Sequence, residues 1–298
     1  MSTLDEEYRR LIEEAGLPAD ALPSDLFYSG AAEREVDQAR ADAVTQEQVG
    51  LLRSETTTWD GSWETLAELA PGSLSSNDLQ QGIAERRAAG DVMQPLPIAV
   101  LISGSGTNLQ AMIDQIAAGT LNAEIKLVVA SRPDAAGLKR AEAAGLQTLT
   151  LSREIYKDPI MADEVIATEL YRAGVAYVVM AGYMRKVHAP LLISFPDRII
   201  NLHPALLPSF PGAHGIEDAL ARGVKVTGVT VHIANAAYDA GPIIAQTPVT
   251  IDEGMDAEAL AQRIHAVEHD VYPRVVQMLS EGRVSIRSDR TVEIAPQV

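Results

Sequence analysis

The 298-residue chain contains no cysteine. That excludes a disulfide framework, a thiolate nucleophile and cysteine metal ligands, and it fits a reducing compartment. Long apolar runs are also missing. Residues 176–181 form one of the longest, far short of the ~20 residues that a bilayer span needs. The opening MSTLDEEYRR is acidic and polar, unlike a secretory signal. Positive charge is scarce: 24 Lys and Arg stand against 41 Asp and Glu, for a net charge of -17. Such a balance argues against a broad nucleic-acid surface. The expectation is a soluble cytoplasmic protein whose partners are small molecules, with no nucleic acid and no membrane.

The charge is uneven. Residues 1–94 carry 19 acidic and 7 basic side chains and no lysine, whereas residues 95–298 carry 22 and 17. Two parts are therefore expected: an acidic N-terminal extension over 1–94 and a catalytic domain over 95–298, divided near Gln94-Pro95-Leu96-Pro97. In the extension, Leu4, Tyr8, Leu11 and Ile12 share a helical face, so the spacing predicts a short helix over 3–15, stopped by Gly16 and Pro18. A second helix is expected over 31–52. Trp59 and Trp63 follow, and tryptophans are uncommon in disordered linkers. The extension is expected to be mainly helical or irregular. Two readings of it stay open: a segment that packs on the catalytic domain or builds an oligomer such as a homodimer, and an acidic, partly disordered arm.

Beyond Pro97 the pattern changes. Short apolar runs at 98–102, 127–130, 146–151, 177–181, 199–202, 227–233 and 242–251 predict strands. Helices are expected over 109–118, 135–144, 159–173 and 256–281. Strands alternating with helices predict an α/β fold, a mostly parallel sheet with helices on both faces. Ligands of such sheets sit beyond the carboxyl ends of the strands.

Four patterns carry chemistry. Ser103-Gly104-Ser105-Gly106-Thr107-Asn108 follows a strand and opens a helix. Glycines allow the tight turn, and the exposed N–H groups with the helix N-terminus make a cradle for a phosphate. A plain strand-to-helix turn explains the string equally well. A dinucleotide fingerprint fits less, because Leu109 stands where its third glycine belongs. Arg132 keeps an NADP-dependent oxidoreductase among the alternatives. Asn201-Leu202-His203-Pro204 ends a strand, and alternation puts Asn201 and His203 on one side. The amide can donate to an oxygen gaining charge and the imidazole can relay a proton, although such a pair by itself is more often ordinary polar structure. Thr230 and His232 share a side of a later strand, and Asp239 stands in the loop that follows, placed to orient an imidazole or simply to make a turn before glycine. Finally, His265-Ala-Val-Glu268-His269 matches the H-x-x-E-H zinc-protease pattern. Zinc chemistry would leave the glycine loop and the Asn/His strand end unused, so these histidines read as an ordinary helix face.

Together the strings IAVLISGSGTNLQAMI, VVMAGYMRKV, IINLHPALLPSFPGAHG, TGVTVHI and DAGPIIAQ closely resemble the glycinamide ribonucleotide formyltransferase family, over about residues 97–284. The resemblance implies a Rossmann-like formyltransferase fold and 10-formyltetrahydrofolate as co-substrate, with no metal. It implies Asn201, His203 and Asp239 as the catalytic trio. Gly104, Ser105, Gly106, Thr107 and Asn108 would hold the ribonucleotide phosphate, and Glu268 the ribose hydroxyls. Arg153, Met184, Arg185, Lys186, Val187 and Asn201 would meet the folate. His214 and Thr230 fall near the centre by the same mapping. His265 replaces a Gln or Lys that often stands near the phosphate, and Ala205 a usual Ser. The implied reaction is direct formyl transfer to the ribonucleotide amine in purine synthesis. Formyltetrahydrofolate deformylase is the alternative. A methionyl-tRNA formyltransferase fits less, because the chain ends soon after the last helix and is acidic.

Overall fold

The computed structural model describes residues 59, 62–66, 69 and 71–297. The helices expected over 3–15 and 31–52 lie outside the described residues. Two helices precede the sheet, α1 (Trp63–Leu66) and α2 (Ser76–Ala88). Then follow β1 (Leu96–Ile102), α3 (Thr107–Ala117), β2 (Ala123–Ala130), α4 (Gly137–Ala143), β3 (Thr148–Thr150), α5 (Pro159–Arg172), β4 (Tyr177–Met180) and α6 (Ala189–Ser194). The chain continues through β5 (Ile199–His203), α7 (Gly215–Arg222), β6 (Val226–Ile233), β7 (Ile243–Thr250) and α8 (Ala257–Ser280). It closes on a hairpin of β8 (Val284–Ile286) and β9 (Val292–Ile294).

Seven strands make one sheet in the order β3-β2-β1-β4-β5-β6-β7. The first five strands run parallel, whereas β6 and β7 pair antiparallel. The central strands β1 and β4 are buried on both faces, which is why they read as continuous apolar runs. Their side chains alternate between two cores. Ile98, Val100 and Ile102 of β1 face one, with α3, α8 and the β8–β9 hairpin, while Ala99 and Leu101 face the other, with α5 and α6. Strand order reverses between β1 and β4, and the crevice outside their carboxyl ends is where such sheets bind ligands.

The structure shifts several expected elements. β2 begins at Ala123 rather than 127, and β3 shrinks to three residues. The short helices α6 and α7, the β8–β9 hairpin and α2 are new. Helix α2 has a capping box: Ser75 Oγ accepts from the Asp78 N–H, and the Asp78 carboxylate accepts from the Ser75 N–H at 2.6 Å.

The first core also crosses the compositional boundary at Gln94–Pro97. Leu66, Leu74, Leu79 and Ile83 belong to it. Asn77 exchanges two hydrogen bonds with the backbone of Ile286, both 2.8 Å. Trp59 and Trp63 stack with ring centroids 4.7 Å apart. The Trp59 indole lies against Gly82, where an added Cβ would come within 2.9 Å of the ring. A glycine in mid-helix costs helix propensity, and the indole packed on it gives the reason for it here.

Candidate active site

Strand β5 delivers Asn201 and His203 to one face at its carboxyl end, and antiparallel β6 sets His232 opposite Asn201 and Thr230 opposite His203. Directly paired residues share a face, so these four polar side chains form one patch. Asn201 Nδ2 lies 3.2 Å from His232 Nε2, and His232 Nδ1 lies 3.0 Å from the Ile233 carbonyl. A neutral His232 that donates through Nδ1 takes one amide hydrogen of Asn201, and a protonated His232 that donates Nε2–H to Asp239 takes none, so in either form the amide keeps a hydrogen for a ligand oxygen.

The loop between β6 and β7 brings Asp239 across the patch. Its carboxylate accepts from the Gly212 N–H at 2.8 Å. It lies 3.4 Å from His203 Nδ1 and 3.5 Å from His232 Nε2, with its side chain 4% exposed. Burial pushes this carboxyl up. The His232 contact, the Gly212 N–H and the charges of both rings outweigh burial and hold it below the usual carboxylate range. His203 Nε2 faces the Phe210 carbonyl at 2.7 Å, so each nitrogen of that ring looks at an oxygen. The loop can reach this position because Gly241 has no side chain: a Cβ there would lie 1.7 Å from the Ile233 carbonyl oxygen.

Thr230 supports the turn after His203. Its hydroxyl donates to the Ala205 carbonyl and accepts from the Leu207 N–H, and Gln246 donates to both Thr230 and the Leu207 carbonyl. His214 is exposed at the start of α7. Its neighbour Gly215 is packed so closely that a Cβ would sit 3.4 Å from His203 Nε2.

The glycine loop follows β1. Gly106 takes the left-handed conformation at φ 69° and caps α3 without any side-chain bond. The first turn of α3 also lacks acidic residues, so its free N–H groups favour an anion. The loop is braced from behind by α4: the Gly137 N–H donates to the Gly104 carbonyl, and Arg140 Nε donates to Ser105 O at 2.9 Å. Asn108 turns inward and donates to Glu268 Oε2 at 2.9 Å. Glu268 is buried on α8, and burial pushes its carboxyl up despite that bond. One turn along α8 from Glu268, the Tyr272 hydroxyl lies 3.0 Å from the Met180 carbonyl of β4 and 2.9 Å from the Ile200 carbonyl of β5, so the glycine-loop pair and the β5–β6 patch lie along the same edge of the sheet.

The 181–188 loop after β4 forms the opposite wall. Met184 is 77% exposed, and the Arg185 guanidinium stacks 3.7 Å above the Tyr156 ring. Val187 is buried in the second core, so only its backbone is free to meet a ligand. Arg153 is exposed just before the turn that carries Tyr156. Glu268 turns to Asn108, His265 is exposed, and no cluster of metal ligands occurs among the described residues.

Two features of the site had no role in the sequence reading. His232 Nε2 lies within reach of both Asn201 and Asp239, a placement that only the antiparallel β5–β6 register reveals. The second is the side-chain anchoring of the 181–188 loop, whose partners lie far away in sequence.

A family model described as formyl transferase matches residues 96–276. The chain is 38% identical over 181 residues to a phosphoribosylglycinamide formyltransferase of Bacillus subtilis, covering 61% of this chain and 93% of that protein. It is also 38% identical over 189 residues to the human trifunctional purine biosynthetic protein adenosine-3, but covers only 19% of that protein's length. The crystal structure of glycinamide ribonucleotide transformylase 1 from Symbiobacterium toebii superposes with a TM-score of 0.66 at 44% identity, covering 68% of this chain and 95% of that one.

Proposed function

The chain belongs to the formyl transferase family, and from that premise we propose that it moves the formyl group of 10-formyltetrahydrofolate onto the amine of 5-phosphoribosylglycinamide, in purine biosynthesis. One observation carries the reading: Asn201, His203 and Asp239 converge at the carboxyl end of β5, on the same edge of the sheet as the glycine loop and Glu268. The relatives reported above bear ribonucleotide formyltransferase names, which does not favour a deformylase.

In this reading the phosphate rests on the N–H groups of residues 104–108, and Glu268 takes the ribose hydroxyls. The folate lies along 184–187, with Arg153 toward its glutamate tail. The amine nitrogen attacks the formyl carbon, forming a C–N bond and leaving negative charge on the former carbonyl oxygen. The free N–H of Asn201 donates to that oxygen. His203 joins it when Nε2–H turns from the Phe210 carbonyl to the oxyanion. Asp239 holds the His203 ring and, through water, passes the amine proton to the folate nitrogen as its bond to the formyl carbon breaks. The substrates are small molecules and the setting is the cytoplasm.

The test is whether transfer requires the ribonucleotide. Formyl folate should be consumed only when glycinamide ribonucleotide is present, with formylated ribonucleotide as product. Formate release in its absence would instead support the hydrolytic reading.

A further inference from the structure

Ser103 occupies the floor of the crevice between β1 and β4, where the strand order reverses. Its backbone begins the glycine loop. The Ser103 N–H donates to the Gly182 carbonyl at 3.1 Å, across the crevice. Its hydroxyl oxygen accepts from the Met184 N–H at 2.8 Å. A second buried hydroxyl fixes that oxygen: Ser131, at the carboxyl end of β2, donates to it at 2.6 Å. Ser131 is in turn tied to β1 through its N–H to the Ile102 carbonyl at 2.9 Å. Both serines are 6% exposed.

The other end of the same loop is pinned as well. The buried Asp163 carboxylate on α5 accepts from the His188 N–H and lies 3.2 Å from His188 Nδ1. Residues 184–188 are thus held at both ends by buried side chains, with the Met184 side chain exposed and Arg185 and Lys186 half-buried. Fixing a loop before a ligand arrives lowers the ordering cost of binding.

We propose that Ser103 is a positioning residue that couples the two halves of the site. Its backbone shapes the phosphate cradle, while its hydroxyl, oriented by Ser131, holds the 184–187 wall in the form that receives the folate. This rests on the proposed reading that 184–187 meets folate. The two roles are separable by mutation, because Ser103→Ala keeps the backbone and removes only the oxygen.

The experiment is calorimetric titration of the full chain with tetrahydrofolate, alongside steady-state KM values for both substrates. Ser103→Ala should weaken tetrahydrofolate binding about threefold to tenfold, the worth of one intramolecular hydrogen bond. The KM for the ribonucleotide should stay near that of the unaltered protein. Ser103→Thr, which keeps the hydroxyl, should restore folate binding. Should Ser103→Ala fail to fold, Ser131→Ala carries the same test, since it removes only the donor that orients the oxygen. A folded Ser103→Ala protein with unchanged folate affinity, or with equal losses for both substrates, would overturn the proposal. Failure of the unaltered protein to bind tetrahydrofolate would instead overturn the formyl-transfer reading, so the two failures are distinguishable.

Discussion

Gln80 offers a way to separate what the segment before β1 does for stability from what the site does for chemistry. The side chain lies between α2, α8 and β8, on a residue 3% exposed. Its amide donates to the Leu279 carbonyl at 2.9 Å and the Tyr177 hydroxyl at 3.1 Å, and its oxygen accepts from the Val284 N–H at 3.0 Å. In Gln80→Ala two of these partners keep another bond. The Leu279 carbonyl retains the Gly282 N–H, and the Tyr177 hydroxyl retains Ser76 Oγ. The Val284 N–H, on a fully buried residue, loses its Gln80 acceptor. An orphaned buried donor costs about 1–3 kcal/mol. The vacated space adds about 1 kcal/mol. Urea unfolding followed by circular dichroism should therefore show a loss of about 2–4 kcal/mol with little change in the denaturant slope. Turnover of the folded variant should persist, because Gln80 meets β4 at Tyr177, at the strand's amino end, and the site lies beyond the carboxyl ends. A stability change below about 0.5 kcal/mol, within the range of ordinary surface substitutions, would refute the reasoning that this segment is part of the core.

Two further outcomes follow from the site. Glu268 has its carboxyl raised by burial, so its contribution to stability is full below the unfolded value of about 4.3 and is lost as pH rises through the folded value. Glu268→Gln should therefore gain stability over the unaltered protein as pH rises from about 4 to 7, while its KM for the ribonucleotide increases; thermal melts across that range that run parallel would contradict this. Gly241→Ala places a Cβ 1.7 Å from the Ile233 carbonyl oxygen, which forces the Asp239 loop to move. Both melting temperature and turnover should fall, and a variant normal in both would show that the loop is packed differently.

The polar pair at the end of β5 was legible because strand alternation is a local rule. Asn201 and His203, two apart on β5, had to share a face, and they do. The glycine loop was legible because its turn and the helix it opens are adjacent in sequence. His232 was visible as a residue but not as a neighbour of both Asn201 and Asp239, since that depends on which strand pairs with β5 and in what register. Ser103 reads as one letter of a glycine-rich string, while its partners stand at 131 and 184.

Helix α2 escaped notice for a different reason. Only Leu79 and Ile83 of its thirteen residues are buried apolar side chains, and its docking relies on Asn77 and Gln80, which a hydrophobic-periodicity reading ignores. The capping box at Ser75–Asp78 was the signal available. The H-x-x-E-H string shows the converse. Its shared helix face was legible, but the partner of its glutamate, Asn108, stands 160 residues away.

The account stands on charge stabilisation at the formyl oxygen, and turnover by His203→Ala at saturating substrates measures it most directly. Loss of one such donor should lower kcat by about 10²–10³, in a protein that melts normally and still binds the ribonucleotide. A folded His203→Ala enzyme that turns over at nearly the original rate would contradict the account.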